Sequence, residues 1–566
     1  MSPAITRTRS PRTASDSSTA AAGQSPATRW YGLVVLALGL AMIVIDGTIV
    51  GVALPTIMAE MSLSITDAQW VNALYSVVFA ALLLTMGRLA DRYGRRGFFL
   101  AGIVVFAAGS VLAARSSGVE HLVSARVVQG VGGAMILPAT LSTVNATFRG
   151  GDRAAAFGVW GAVMSGAAAV GPLLGGWLTS SFGWRWIFWV NLPLAAVVLV
   201  GAVVWVCPTR GSNNRRGIDV DGTLLSAIGF GALVFGIIEG PAIGWWTPIQ
   251  PLSFLGHSWP EQAEVSAAGL ALVIGAGALA LFIAWEIHRK NNRRDAILEL
   301  ELFTIPTFTW GNIAAFAVAV GEFGIVFLLP LFLVGSAGLS VMQSGWVLAA
   351  MALGAFFSGA SARHLAARTS APVVVVIGLA LEVTGCVVLA LTIGLSGSLW
   401  LISALLVIYG LGLGLASAQL TSTVLSDVPK AASGQGSATQ STIRQIGSAV
   451  GAAVSGAALQ AHLPDSLAGG LEQAGFDPDH LTPVTRAVEQ SAGGALTLLR
   501  SGHTFPGMAE EQTGRLIDAL STGYAGATGW ALAVCTAFLA LGLVAAVTLA
   551  ANSTRRQPTP AGNPGA

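Results

Sequence analysis

Charged residues in this chain sit mostly in short breaks between long apolar runs. A helix needs about twenty mostly apolar residues to cross ~30 Å of hydrocarbon. Runs of that length begin near Trp30, Trp70, Gly97, Glu120, Ala154, Trp184, Val220, Val265, Phe308, Val341, Ala371, Leu399, Gly434 and Thr522. The pattern predicts about fourteen spanning helices. No run alternates apolar and polar residues with a period of two, so strands are not expected.

Basic residues in short loops stay on the cytoplasmic side, and here they fall in alternate breaks. Arg7, Arg9, Arg12 and Arg29 precede the first run, and later clusters are Arg88 to Arg96, Arg149 to Arg153, Arg210 to Arg216, Arg289 to Arg294, Arg363 to Arg368, and Arg555, with Lys430 in the remaining loop of that side. The opposite loops are poor in base, apart from Arg115, and include Glu261 and Glu264. An even number of spans with both ends in the cytoplasm follows, in a cell membrane. Composition agrees: 54% of residues are hydrophobic and 10% charged, and the mean hydropathy is +0.72. That is an integral membrane protein. A net charge of +2, spread over many loops, gives no nucleic-acid-binding face.

Residues 1–29 are a Ser-, Ala- and Arg-rich tail without an apolar core, so the first span is expected to act as the insertion signal. Cys207, Cys386 and Cys535 lie in separate apolar runs without CxxC spacing, which supports neither disulfides nor a metal site. The longest outer connection, residues 461–521, is polar and leans acidic, with Asp465, Glu472, Asp477, Asp479, Glu510 and Glu511 against Arg486, Arg500 and Arg515. It reads either as a small hairpin or helical cap over the outer mouth or as a mobile tether.

Between the second and third runs stands GRLADRYGRRGFFL, with Gly87, Asp91, Arg92, Gly94, Arg95 and Arg96 in a very short turn. The rule for basic loops explains the arginines but not the glycines and the acid at this spacing. The stretch resembles the signature loop of the major facilitator superfamily. RVVQGVGGA from Arg126 is similar to that family's fourth-helix signature, and GPLLGG, with Gly171, Pro172, Gly175 and Gly176, to its fifth-helix antiporter signature. VIDGTIVGVALP around Asp46 and WRWIFWVNLP from Trp184 resemble the fourteen-spanner drug:proton antiporter branch, with one departure at Gly51, where that branch commonly carries Asn.

The resemblance implies an all-helical membrane fold of two pseudo-symmetric six-helix halves with two extra central helices. It divides the chain into the tail 1–29, a first half 30–208, the extra helices and linkers 209–301, a second half 302–551 and a cytoplasmic tail 552–566. It also implies that the Gly87 to Arg96 loop is a conformational switch whose acid pairs with a neighbouring helix end or base.

The chemistry rests on intramembrane charge, because all seven His lie in loops, tails or at helix ends. An ionised carboxylate inside the bilayer must be paired, protonated or facing water. At ~1.5 Å per residue, Asp46 stands about 24 Å above Trp30 and Arg126 roughly 9 Å below the outer surface, so the two reach similar heights. Their pairing in one state and release in another would make protonation depend on conformation, whereas a permanent pair would only fix packing. Glu322 lies eight residues before Pro330 and Asp46 nine before Pro55, a near match suggesting that the ninth run repeats the first. Glu322 is then expected to face the cavity and to bind a cation or a proton, and Asp46, Tyr75, Phe323 and Trp346 are further candidates for contact with substrate. Glu382 is expected to be structural at the periphery of the second half, and Glu239 to lie at the outer interface beside Trp245 and Trp246. Arg444, on the inner half of the thirteenth run, is expected to answer Asp427 or a backbone carbonyl, or to serve the cavity.

Together these imply an exporter of amphipathic, cationic organic compounds, a monomer driven by the proton gradient without a cofactor. The alternative is a dedicated exporter of an endogenous antibiotic, siderophore or lipid. No GxxxxGK[ST] string marks a nucleotide site, and no nucleophile or metal constellation suggests an enzyme.

Overall fold

The computed structural model describes residues 26–148, 150–210, 219–254, 257–292, 294, 297–393, 398–429, 432–501 and 510–554. Fourteen long helices run through them: α1 (Pro26–Met61), α2 (Ile65–Tyr93), α3 (Arg95–Ala114), α4 (Val119–Thr147), α5 (Gly150–Phe182), α6 (Asn191–Trp205, entered through the turn Trp186–Trp189), α7 (Val220–Ile243), α8 (Ala267–Asn291), α9 (Pro306–Leu331), α10 (Val341–Arg368), α11 (Ala371–Thr392), α12 (Leu399–Val424), α13 (Ser433–Gln473) and α14 (Glu510–Thr554). Thirteen spans are long and apolar enough to cross a membrane among the described residues, and α5, at 33 residues, supplies the fourteenth long helix. The protein is a multi-pass membrane protein.

Local chemistry sets many of the boundaries. Ser64 and Ser340 cap α2 and α10 in reciprocal boxes with Asp67 and Gln343. Gly94, at φ +120°, lets α2 stop and α3 start without a linker, a conformation strained for any residue with a β-carbon. Pro306 opens α9 in the first turn, where its missing N–H is not needed.

Two differences from the hydropathy pattern stand out. Between α7 and α8 a hairpin forms from β1 (Leu252–Phe254) and β2 (His257–Trp259), antiparallel with Leu252 opposite Trp259. It lies in a loop, where the pattern along the spans carries no information. The connection 461–521 is largely helical instead of a tether. Helix α13 continues to Gln473, short helices follow at Thr482–Gln490 and Gly494–Arg500, and α14 begins at Glu510 rather than Thr522. Buried Leu467, Leu471, Leu516 and Leu520 join these extensions in one apolar cluster, so packing between helices replaces lipid as the force that orders them. The arginines at 7, 9, 12, 149, 215, 216, 293 and 555 and Lys430 lie outside the described residues.

The apolar core differs between the two ends of the bundle. At the end remote from the chain termini, one cluster spans both halves, joining Ile49 to Met58 of α1 with Ile325 to Leu331 of α9 and Leu459 and Leu463 of α13. At the end carrying the termini the core splits in two. One part holds Leu33, Phe99, Ile136 and Val198 of the first half, and the other Phe308, Val375, Leu420 and Ala545 of the second. The halves are thus sealed together at one end and have separate cores at the other. Extra helix α7 packs between α2 and α13 through Val234 and Ile238.

Candidate functional site

Helix α1 runs unbroken through VIDGTIV and presents Asp46 to the interior of the first half, away from the second. Its carboxylate is 0% exposed and takes three donors: the Arg126 guanidinium, Gln129 Nε2 at 2.9 Å and Asn191 Nδ2 at 2.9 Å. Arg126, 1% exposed, also donates to the carbonyl of Val71 at 3.3 Å and to Gln129 Oε1 at 2.9 Å. Its guanidinium lies over the Tyr75 ring, 4.2 Å from the centroid. Ser110 closes the set, accepting from Gln129 at 3.0 Å and from Asn191 at 3.2 Å. Five helices, α1, α2, α3, α4 and α6, therefore meet on one ion pair. Gly109 permits this, since a β-carbon there would lie 2.8 Å from Gln129 Cγ.

This geometry corrects two expectations. Asp46 presents no surface to a substrate in this conformation, and Tyr75 is committed to Arg126. Gln129, Asn191 and Ser110 were not singled out from the sequence. The available signal was an amide three residues after Arg126, and another in WRWIFWVNLP, each isolated in an apolar run.

The second half houses its acids differently. Glu322 on α9 is buried and meets Arg444 Nη2 of α13 at 3.5 Å and Ser417 Oγ of α12 at 3.5 Å. Arg444 is 32% exposed, so it is only partly buried, and its contact is with Glu322 rather than Asp427. Asp427 instead accepts from Thr307 at 3.0 Å. Glu382 on α11 is 0% exposed, and neither carboxylate oxygen has a hydrogen-bond partner. It faces α12, where a β-carbon on Gly412 would meet its Cγ at 2.9 Å; α11 itself shows exposed Ile377, Val387 and Leu391 on its outer side, but the acid points inward and lacks the partners a structural acid would have.

Phe323 lies one turn from Val326 on the same face of α9, and Val326 approaches Gly51 of α1. Phe323 is exposed on that face of α9. Trp346, 58% exposed, shares a stripe of α10 with exposed Leu353 and Phe357, an apolar surface suited to lipid and not the expected ligand contact. Glu239 accepts from Trp70 Nε1 at 2.7 Å and so ties α7 to α2.

In the Gly87 to Arg96 turn the acid of α2 meets a base at the start of the neighbouring helix α3. Asp91 pairs with Arg95 of the same turn at 2.7 Å. Arg95 N donates to the Thr209 carbonyl at 3.1 Å, Arg96 to the Val203 carbonyl at 2.5 Å, and Arg92 stacks on Tyr93 at 5.4 Å. The bridge to the second half comes from Arg88. With its amide turned to satisfy both ends, Gln435 of α13 donates to Glu299 and accepts from Arg88 Nη2 at 3.2 Å. Gly87 allows α2 to approach α4, a β-carbon there lying 3.2 Å from Pro138.

The GPLLGG stretch of α5 works on two sides. A β-carbon on Gly171 would fall 1.9 Å from Thr48 Oγ1 of α1, and one on Gly175 3.0 Å from the Ile49 carbonyl. On its other side Gly176 packs against Val341 and Met342 of α10, and a β-carbon on Gly345 would come within 2.8 Å of the Pro172 carbonyl. This is close helix contact of the small-residue kind across the two halves.

Known proteins place this arrangement. The chain is 32% identical over 452 residues, 80% of each chain, to the "Multidrug resistance protein Stp" of Mycobacterium tuberculosis (strain CDC 1551 / Oshkosh). It is 29% identical over 441 residues, 77% of each chain, to the "Tetracenomycin C resistance and export protein" of Streptomyces glaucescens. A crystal structure of a bacterial homolog to the human lysosomal transporter Spinster, inward-facing and occupied, superposes with a TM-score of 0.59 over 95% of this chain and 100% of that one. At 19% identity that likeness shows the fold alone. The family model for the Major Facilitator Superfamily matches residues 36–452, and with its two halves, sealed at one end, and its glycine-packed α5, the chain belongs to that superfamily of membrane transporters.

Proposed function

We propose that the protein is a proton-driven exporter of amphipathic, cationic organic compounds, with both termini in the cytoplasm. The observation that carries this reading is the sealed Asp46–Arg126 pair inside one half of a transporter fold. All three groups on Asp46 are donors and one is a guanidinium, an arrangement built for a carboxylate paired with a cation, and withdrawal of Arg126 would break that pair. Rocking of the halves supplies the occasion, because α1 carries Asp46 and also forms the sealed end through Ile49 to Met58. With the basic loops on the terminus-bearing side, this conformation is closed outward and has its separate cores inward. Opening outward must part Gly176 from α10 and withdraw Gln69, which donates to the Ala453 carbonyl at 2.6 Å. That movement pulls on α1 and α2 together and loosens the hold on Arg126. The relative named for multidrug resistance supports a broad substrate range.

A second reading, export of one endogenous compound, is favoured by the relative named for tetracenomycin C export. Flux in proteoliposomes tests both. Ethidium efflux driven by an imposed pH gradient, lost in Asp46→Asn, supports the first; uphill efflux by Asp46→Asn at the parent rate removes the coupling role. An ethidium-inert parent that still carries an aromatic polyketide moves the conclusion to the second.

A further inference from the structure

Of the buried acids that the preceding mechanism leaves unused, Glu382 alone among the described residues has neither carboxylate oxygen hydrogen-bonded. Gly412 admits it between α11 and α12, and one turn further Gly385 makes room for Tyr409, a β-carbon there lying 3.1 Å from Tyr409 N. The Tyr409 hydroxyl is buried without a hydrogen-bond partner, as are both oxygens of Glu382. The titratable groups close enough to influence this acid are Glu322 of α9, Arg444 of α13, Tyr409 of α12, Cys386 of its own helix and, through Cys386, Cys535 of α14. Arg444 is the single base acting on both acids. Two carboxyls and one guanidinium leave one negative charge in excess if both acids are ionised. Glu322 has Arg444 and Ser417 as donors, and Glu382 has none. An ionised carboxylate without a donor is not tolerated at that depth.

We propose that Glu382 is a second proton-binding residue of this transporter, which holds a proton in the present conformation and passes it to Glu322, with Arg444 pairing whichever acid is ionised. The proposal rests on the proton-driven reading for the hand-over, and on geometry alone for the occupancy. The step balances: an O–H bond breaks on Glu382, one forms on Glu322, the negative charge moves the other way, and nothing is oxidised. Gly412 and Ser417, which mark the two acids along α12, are separated by about 7.5 Å of helix rise. The transfer therefore accompanies a movement of the acids, or uses a bridging water, and is timed by conformation. Arg444 is partly exposed, so of the pair it is the member accessible from outside the packed core.

Infrared spectroscopy of the full-length protein in liposomes tests the occupancy. At neutral pH the parent is expected to show the C=O stretch of a buried protonated carboxyl, absent from Glu382→Gln and retained in Glu322→Gln. A parent without that band, or a band that survives Glu382→Gln, overturns the proposal whether or not transport is proton-driven. For the hand-over, uphill ethidium efflux should fall by at least about tenfold in Glu382→Gln while ethidium counterflow, which needs no net proton movement, persists, and Glu382→Asp should restore part of the efflux. Uphill efflux at the parent rate overturns the hand-over. A parent that moves ethidium without moving protons removes the coupling reading and the hand-over together, and the infrared band then decides occupancy separately.

Discussion

The two halves carry acids at nearly matched distances from a proline, nine residues for Asp46 and eight for Glu322, and they house them in opposite ways. In the first half one acid meets one base inside a closed shell of amides, hydroxyl and aromatic ring drawn from five helices. In the second half one acid meets a partly exposed base through a long contact, and a second acid is buried without a hydrogen-bond partner. Pseudo-symmetry of position therefore does not imply symmetry of chemistry. A closed, charge-balanced site resists change until the helices around it move.

The largest expected effect breaks the closed site. Asp46→Asn leaves Arg126 buried without its counter-charge and should cost about 3–5 kcal/mol of stability. Arg126→Gln in the same background should recover a large part of that loss, since it removes the orphaned charge. Glu322→Gln removes only two contacts of 3.5 Å each, beside a partly exposed base, and should cost about 1 kcal/mol or less. Thermal unfolding of the three variants in detergent measures the contrast. Equal losses for Asp46→Asn and Glu322→Gln would erase the distinction between the sites.

How much of this was legible in the sequence follows the same division. Span positions are a property of the local run of residues, so most helices begin within a turn or so of their predicted starts; α14 does not, because its early turns are ordered by neighbouring helices instead of lipid. The height of Asp46 and Arg126 follows from counting residues along two helices, and the pair forms. What counting does not supply is azimuth. The direction each side chain faces decided that Tyr75 stacks on Arg126, that Trp346 joins an apolar outer stripe, and that Glu382 points inward onto Gly412. Gln129 and Asn191 stand out only as lone amides in apolar runs, and Ser110 not at all, for the same reason: a lone polar residue in a hydrophobic run carries no mark of its partner. Asp91 has an equally local signature, and a base four residues on, Arg95, claims it before any distant helix does.

A smaller effect separates packing within a half from packing between halves. Gly171→Ala places a methyl against Thr48 and should cost about 1–3 kcal/mol, with most of it regained in Gly171→Ala/Thr48→Ala. Gly345→Ala meets the Pro172 carbonyl of the other half, so its penalty falls on this conformation more than on the fold. Cysteine accessibility at the sealed end should rise for Gly345→Ala and stay unchanged for Gly171→Ala. The reverse pattern would mean that α5 and α10 do not part during the cycle.

Smaller still is the loss at the cap, which only the second half possesses. Arg500 donates to the Gly335 carbonyl at 2.8 Å, to the Ser336 carbonyl and to Ser521 Oγ at 2.6 Å, so it holds the outer end of the helix bearing Glu322. Arg500→Met should cost about 1 kcal/mol or slightly more and raise amide exchange over residues 332–336, leaving the Asp46 site untouched. Faster exchange around Asp46 as well would show that the halves are coupled more tightly than their separate chemistry suggests.

The smallest effect comes from an acid in water, and it calibrates the buried ones. Asp477, exposed in the cap, accepts from His480 Nδ1 at 2.7 Å and from Asp479 N at 3.0 Å. The His480 hydrogen bond, and after it the backbone N–H, hold its carboxyl below the ordinary carboxylate range. A depressed folded value means that the contribution to stability is present above the unfolded pKa and is lost as pH falls through the folded one. Protection of the amides across residues 479–482, taken relative to their intrinsic exchange rates, should therefore fall only under acidic conditions, and Asp477→Asn should make it low at every pH. Because solvent screens this site, global unfolding should not follow. If acid instead loosened the cap and the α9 end together, the cap would be a lever on the second half's acids and not a cover for them.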